Sequence, residues 1–261
     1  MARTSRFASK NASFTLPCLL FIVSTNLAHA EWNYGIGTGL FRMNAEGDQG
    51  LNTQIAGPVV FDVDLDPDDF DDLMESAFGF GGYATNGTWM IQYSLANLQL
   101  EGGASRAIGA TTADARLGFD VSGGEVTFGY PIKQSSSVVL RVFGGVRYLK
   151  HELSSDIRVG ALLVNRSIDL DWTDALVGIS ADVPLNDKWT WSSRFDVSAG
   201  DSEGTSLINT GLTWSFVERW TATFFAQNQA LDLENGSIGD SDWYLYDADE
   251  FGWGITFLRH W

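Results

Sequence analysis

The chain of 261 residues holds one cysteine, Cys18, and that lies in the opening stretch Met1 to Ala30. Beyond Ala30 there is no thiol, so a disulfide framework and a thiolate metal site are both excluded. A membrane-spanning helix needs an apolar run of about 18 residues or more, and no run past Ala30 approaches it. A helical period of 3.6 is hard to find anywhere. Base is scarce: 16 Lys and Arg stand against 33 Asp and Glu, a formal net charge of −17. Three of those bases (Arg3, Arg6, Lys10) and none of the acids fall before Glu31, so the remainder sets 13 bases against 33 acids, a charge of −20. Nucleic-acid binding needs a basic footprint and is excluded as a partner class. Only His151 and His260 follow Ala30. There is no phosphate-binding loop, since the short pieces Gly35-Ile36-Gly37 and Gly79-Phe80-Gly81 are not followed by a helix.

The stretch Met1 to Ala30 reads as a secretory signal peptide. A basic start leads into the short apolar core Phe14 to Val23 and then into Ala28-His29-Ala30, an A-x-A cleavage site. An uncleaved anchor is the other reading, but the core is too short to cross about 30 Å of hydrocarbon. A signal on an otherwise Cys-free chain fits a bacterial envelope protein. The expected organisation is a signal peptide over 1–30 and one domain over 31–261.

What the chain has is a period of two. Trp189, Trp191, Phe195, Val197 and Ala199 share one parity; Thr190, Ser192, Arg194, Asp196 and Ser198 share the other. In a strand these are opposite faces. Ile208, Leu212, Trp214 and Phe216 repeat the pattern, as do Leu140, Val142, Val146 and Tyr148, and Phe251, Trp253, Ile255 and Phe257. Either a soluble sandwich or jelly roll, or a membrane barrel with its apolar face toward lipid, produces such alternation. The Gly-, Ser- and Thr-rich polar face, its charges of both signs and the aromatic residues near strand ends favour the barrel. The expected fold is therefore an all-β, antiparallel, up-and-down transmembrane β-barrel of about ten strands, with eight to twelve allowed.

Three short turns are each followed by tryptophan: Asn86-Gly87 before Trp89, Asn186-Asp187-Lys188 before Trp189, and Val217-Glu218-Arg219 before Trp220. Indole favours the headgroup level, so Trp89, Trp189, Trp220 and the terminal Trp261 are candidate interface anchors on the periplasmic side. Candidate strands cover 32–43, 76–85, 88–100, 112–130, 137–152, 167–184, 188–200, 204–217, 219–233 and 247–261. Parity changes near Gly123-Gly124 and near Trp172-Thr173, and bulges are the expected cause. Residues 44–75 are expected as a long loop lying outside or folding into the lumen, unless they hide a further hairpin. Asp232 to Glu250 is expected as an exposed acidic loop.

The stretch DLDWTDALVGISADVPLNDKW, with Asp171, Trp172, Asp174, Gly178 and the turn Asn186 to Trp189, resembles a family of small Gram-negative outer-membrane β-barrel proteins, loosely called porin-like. Ala175 stands where that family has proline. The piece GGVRYL, with Gly145, Arg147 and Tyr148, and the acidic segment DVDLDPDDFDDLM are similar to it as well. The resemblance implies a fold and an outer-membrane address, not a substrate. Trp261 resembles the terminal aromatic residue that barrel assembly machinery recognises, although Arg259 replaces the aromatic residue two positions earlier. Outer-membrane lipid and lipopolysaccharide are the other partners expected.

Candidate chemistry is sparse. Arg141, Arg147 and Arg194 share their strands' polar parity, and Asp174, Asp182 and Asp196 are lumen partners for them, with Asp120, Glu125 and Arg116. They read as a ladder of ion pairs holding a small barrel shut, or as selectivity groups of a narrow pore for small polar solutes. Asp62 to Glu75 begins like a calcium loop but has Pro67 where glycine is needed and Leu73 where a bidentate glutamate belongs. It reads as an acidic turn capping a short helix from Pro67 to Met74, with a weak Ca²⁺ or Mg²⁺ site as the other reading; no other cofactor is expected. The local set His151, Glu152, Ser154 and Ser155 is the one candidate for a rim lipid hydrolase; no enzyme activity is expected. Three functions follow: a porin-like channel or structural envelope barrel, a binding or adhesion barrel using acidic loops, and, last, that hydrolase.

Overall fold

The computed structural model describes residues 31–53, 57–108, 111–159 and 162–261; the expected signal peptide lies outside them. Eleven strands among the described residues form one sheet: β1 Asn33–Thr53, β2 Gly57–Leu65, β3 Met74–Thr85, β4 Met90–Ile108, β5 Thr111–Gln134, β6 Val139–Val159, β7 Leu162–Pro184, β8 Trp189–Gly200, β9 Gly204–Val217, β10 Trp220–Asn235 and β11 Tyr244–His260. Sequential neighbours from β3 to β11 pair antiparallel, and β1 joins β11 on one side and β3 on the other. The ring closes as a ten-strand up-and-down barrel, and β2 adds to the outer part of β1. No helix among the described residues is long and apolar enough to cross a membrane.

Outward positions form a belt. Val177, Ile179, Phe195, Val197, Ile208, Leu212, Phe224, Phe257, Val142, Val146, Phe128 and Leu95 are all exposed on the barrel's outside. In water so much apolar surface would be an aggregation site; around a closed barrel it is the surface that meets acyl chains. The chain is thus an outer-membrane type of barrel, and the apolar parity points outward as its sequence suggests.

The four short turns 86–89, 135–138, 185–188 and 217–220 lie at one end with both ends of the barrel domain, where Tyr34 and Trp261 exchange backbone hydrogen bonds at 3.0 and 3.1 Å. Two of these turns share a device. The Asn186 side-chain oxygen accepts from the Lys188 and Trp189 N–H at 2.9 and 3.0 Å. Asn86 does the same for Thr88 and Trp89 at 3.0 and 2.7 Å, with Gly87 at φ 83. An asparagine that turns the chain and hands over to tryptophan is the physical content of the repeated motif.

Above the belt the pattern reverses. Along β7 every even position from Ile168 to Gly178 is buried and every odd one is exposed, without interruption. Register with β6 runs unbroken through Trp172 and Thr173, and register of β5 with both neighbours runs unbroken through Gly123 and Gly124. The expected bulges are absent there; register shifts occur at Met74/Ser76, Pro131/Lys133 and Trp220/Thr221. Parity changes in the sequence because the environment changes. Beyond the membrane the outside meets water, and the apolar side chains turn inward as in a soluble protein.

Two further expectations are corrected. Of the two readings of residues 44–75 the loop is corrected and the hairpin holds: among the described residues β1 runs to Thr53, β2 pairs back onto it, and the helix α1, Pro67–Leu73, follows. Nor is Asp232 to Glu250 a loop, since β10 and β11 occupy both ends of it. The strands are longer than expected because their outer halves carry alternation of opposite sign.

Candidate functional site: a charged lumen beneath an apolar plug

The lower lumen is built by side chains on β5 to β9. Arg147 is almost fully buried and donates to Asp196 at 2.7 Å, Glu125 at 3.0 Å and Thr205 at 2.9 Å. Arg194 donates to Asp196 at 2.6 Å and pairs with both oxygens of Glu125. Its guanidinium stacks 4.7 Å above the Phe143 ring. Two cations thus face two anions, and each anion is shared, which is how buried charge becomes tolerable. Gly178 on β7 makes room: a Cβ there would stand 2.5 Å from the Phe143 ring and 2.7 Å from the Asp196 Cβ.

Asp174, also buried, faces Arg147 across the β6–β7 ladder yet binds hydroxyls and an N–H instead. Ser198 and Ser202 donate to it at 3.0 and 2.6 Å, and the Ser202 N–H donates at 3.1 Å. Ser198 and Thr205 are 2.6 Å apart, so hydroxyls link Asp174 to Arg147. Lower down, Arg141 pairs with Asp182, which accepts from Ser192 at 2.7 Å. All six expected lumen residues therefore face inward; Asp120 and Arg116 belong to the outward parity of β5. Sequence reasoning missed His260, which bridges Tyr83 at 2.9 Å and Thr221 at 2.8 Å and so joins β3, β11 and β10 at the base. Its inward parity was the available signal.

Above this network sits an apolar plug. Ile168, Leu170, Trp172, Leu231, Leu233, Tyr244, Tyr246 and Ala248 form one buried cluster. Phe70, Leu98 and Leu100 form a second, with Phe119 and Val121 packed on it. Phe119 joins them, its ring centroid 5.1 Å from His151 and 6.2 Å from Tyr246. His151 lies at the centre, fully buried, 3.0 Å from the Tyr244 hydroxyl, which also accepts from Gln49 at 3.2 Å. This point lies beyond the belt, and burial pushes the imidazole down to about 3. The rim cluster read from sequence is dispersed: Glu152 faces outward and pairs with Lys150, while His151 faces in.

The expected anchors lie at the end of the barrel that carries the short turns. Trp89, Trp220 and Trp261 are exposed there; Trp189 is half-buried, stacked on Trp214 at 5.9 Å. The acidic helix behaves as its residues suggest, with Asp66 capping it by accepting from the Asp68 and Asp69 N–H at 2.8 and 2.9 Å. Among the described residues no group of three or more His or acidic side chains converges in a way that holds a metal.

No protein-family model matches the chain, and no curated protein does. Solved structures similar to it include the outer-membrane protease OmpT from Escherichia coli, at 8% identity and TM-score 0.46, covering 88% of this chain and 96% of that one. The translocator domain of the autotransporter NalP from Neisseria meningitidis matches at 12% identity and TM-score 0.49, covering 89% and 90%. Ail, the attachment invasion locus protein of Yersinia pestis, matches at 11% and 0.31, covering 88% and 99%. At such scores the fold rests on the chain's own closed ladder and apolar belt.

Proposed function

We propose that the protein is a closed envelope barrel, a structural component of the outer membrane rather than a standing channel or an enzyme. The observation that supports this most is the plug. Trp172, Tyr244, Tyr246, His151 and Phe119 meet across the outer lumen, and the ion network beneath them is internally satisfied. A solute would have to displace both. Trp89, Trp189, Trp220 and Trp261 serve as its periplasmic interface anchors. The test is conductance of the refolded protein in a planar bilayer. Native protein gives no steps, and shortening the plug in Trp172→Ala with Tyr244→Ala introduces them; steps from native protein altered by Arg147→Ala would establish a pore.

A second reading is favoured by one arrangement. Asp232, Asp247, Asp48 and Asp62 stand directly opposite one another across four adjacent strands, and Asp249, Glu46 and Asp64 form the next row. Like charges in register about 5 Å apart repel. Glu203, Asp232 and Asp247 also edge an open cleft of about 550 Å³ floored by Ala175, Ala199 and Ala230. Such a wall suits a binding role in which Ca²⁺ or Mg²⁺ screens the repulsion and bridges to lipopolysaccharide phosphates. Added Mg²⁺ then raises the resistance of this wall to proteolysis, and Asp247→Asn weakens the response.

A further inference from the structure

Among the described residues, the ladder of the barrel wall is interrupted along one line at the edge of the belt. β1 pairs with β3 only from Asn33 to Thr38, the last residue opposite Phe80. The Thr38 hydroxyl makes a final tie to the Gly79 carbonyl at 2.6 Å. β1 next acquires a partner on this side at Ala45, where β2 begins to pair. From Gly39 to Asn44 no strand among the described residues lies beside it on this edge, while β3 from Met74 to Gly79 pairs with β4 alone. β2, α1 and β3 are in effect one wall strand broken by a helix.

The break sits where the belt ends. Leu40 and Phe78, 76% and 59% exposed, are the last apolar outward residues on its two lips; Arg42 and Ser76 come next. Unpaired backbone cannot face hydrocarbon, so an interrupted ladder at this depth persists only beside protein, headgroups or water. What covers it is α1. Its Phe70 is buried against Leu98 and Leu100, and Leu73 lies over Gly102, where a Cβ would be 3.1 Å from its methyl. On the other lip Arg42 pairs with Asp71, reaches Asp68 at 3.3 Å and donates to the Pro67 carbonyl at 3.4 Å. Those contacts are half-exposed ion pairs, weak and easily exchanged. Behind the helix, Ala77, Ser94 and Ala96 face inward yet are exposed, so a space lies there; Ser94 stands opposite Glu125, the outer member of the charged network.

We propose that this seam is a side entrance to the lumen, that α1 is its gate, and that its ligand is a single-chain amphiphile drawn from the outer leaflet. The chain would lie between Leu40 and Phe78, and a hydrogen-bonding head would reach Ser94 and the Glu125–Arg194 pair. The seam is independent of the closed-barrel reading: a lumen plugged along its axis can still be entered from the side, and conductance does not report on it.

The test uses a unique thiol in a Cys18→Ser background, with the folded protein in dioleoylphosphatidylcholine vesicles. Ala96→Cys lies just inside the seam; Thr256→Cys faces the lumen at the level of Gly39, behind intact wall. Each is reacted with N-dodecylmaleimide, which stays in the bilayer, and with water-soluble N-methylmaleimide, and the ratio of the two rates is taken. The ratio at Ala96→Cys is expected to exceed that at Thr256→Cys by about tenfold, and loosening the gate with Arg42→Ala or, separately, Asp71→Asn raises it again by about threefold. Heat-modifiable gel migration confirms that each variant is folded. Equal ratios at the two sites, or a ratio at Ala96→Cys that neither gate variant changes, overturn the proposal.

Discussion

The belt half and the outer half of this barrel are made from the same strands and obey opposite rules. In the belt, Val177 and Ile179 of β7 face outward while Asp174 is enclosed. A few residues earlier on the same strand Leu170 and Trp172 are enclosed while Asp169 and Asp171 face outward. Nothing in the backbone changes between them. Each half puts its apolar side where water is absent, and for a membrane barrel that place moves from outside to inside as the strand leaves the bilayer. The interior chemistry follows. Low in the barrel, charges must be matched one against another; high in the barrel, rings pack as in a soluble core.

The contrast can be broken most severely in the lumen. Arg147→Ala leaves Asp196, which has no exposed surface, without its second cation, and a loss of about 3–5 kcal/mol is expected. The denaturant midpoint of vesicle-folded protein reports it, and Arg147→Lys should recover only part. The outer surface sharpens the contrast. Ile179→Arg, in the belt, should cost about 2–4 kcal/mol, whereas Asp169→Arg, outward on the same strand but above the belt, should change stability by about 0.5 kcal/mol or less. Comparable costs at the two sites would mean that lipid reaches both.

A smaller effect concerns acid. The His151 ring takes up a proton near its ordinary 6.5 in the unfolded chain but, in the plug, only at about 3. The contribution of His151 to stability therefore falls as pH drops from 6.5 toward 3 and is constant above 6.5. The loss approaches about 1.4 kcal/mol for each pH unit, or about 2 kcal/mol at pH 5. The difference in hydrogen exchange between native protein and His151→Phe, read in the outer parts of β6 and β11, should change accordingly between pH 7.5 and 5.

Much of the belt was legible in the sequence. Trp189 to Ala199, Ile208 to Phe216 and Phe251 to Phe257 alternate as lipid-facing strands must, and the lumen arginines stand on the other parity of theirs. The outer half was legible only in part. A period of two identifies two faces but carries no mark of which one is inside. The reversed alternation near Trp172 therefore looks like a slipped register, and Asp48 and Asp62 look like loop residues although they sit on strands. The charge partners were hidden for another reason. Arg147 finds Asp196 two strands away and Glu125 on the other side, pairings set by the ring's order rather than by spacing along the chain. The seam had a faint trace in the acidic, Pro-initiated segment that interrupts the alternation between Leu65 and Met74.

The barrel depends on one unbroken pleat running through a change of surroundings. Nitroxide labels placed singly from Asn165 to Val183 on β7, in lipid vesicles, measure this through their accessibility to oxygen and to a water-soluble nickel chelate. Odd positions should stay accessible throughout, oxygen-rich from Ala175 to Val183 and nickel-rich from Asn165 to Asp171, with even positions shielded along the whole strand. A switch of parity near Trp172, with even positions becoming accessible above it, would contradict the account.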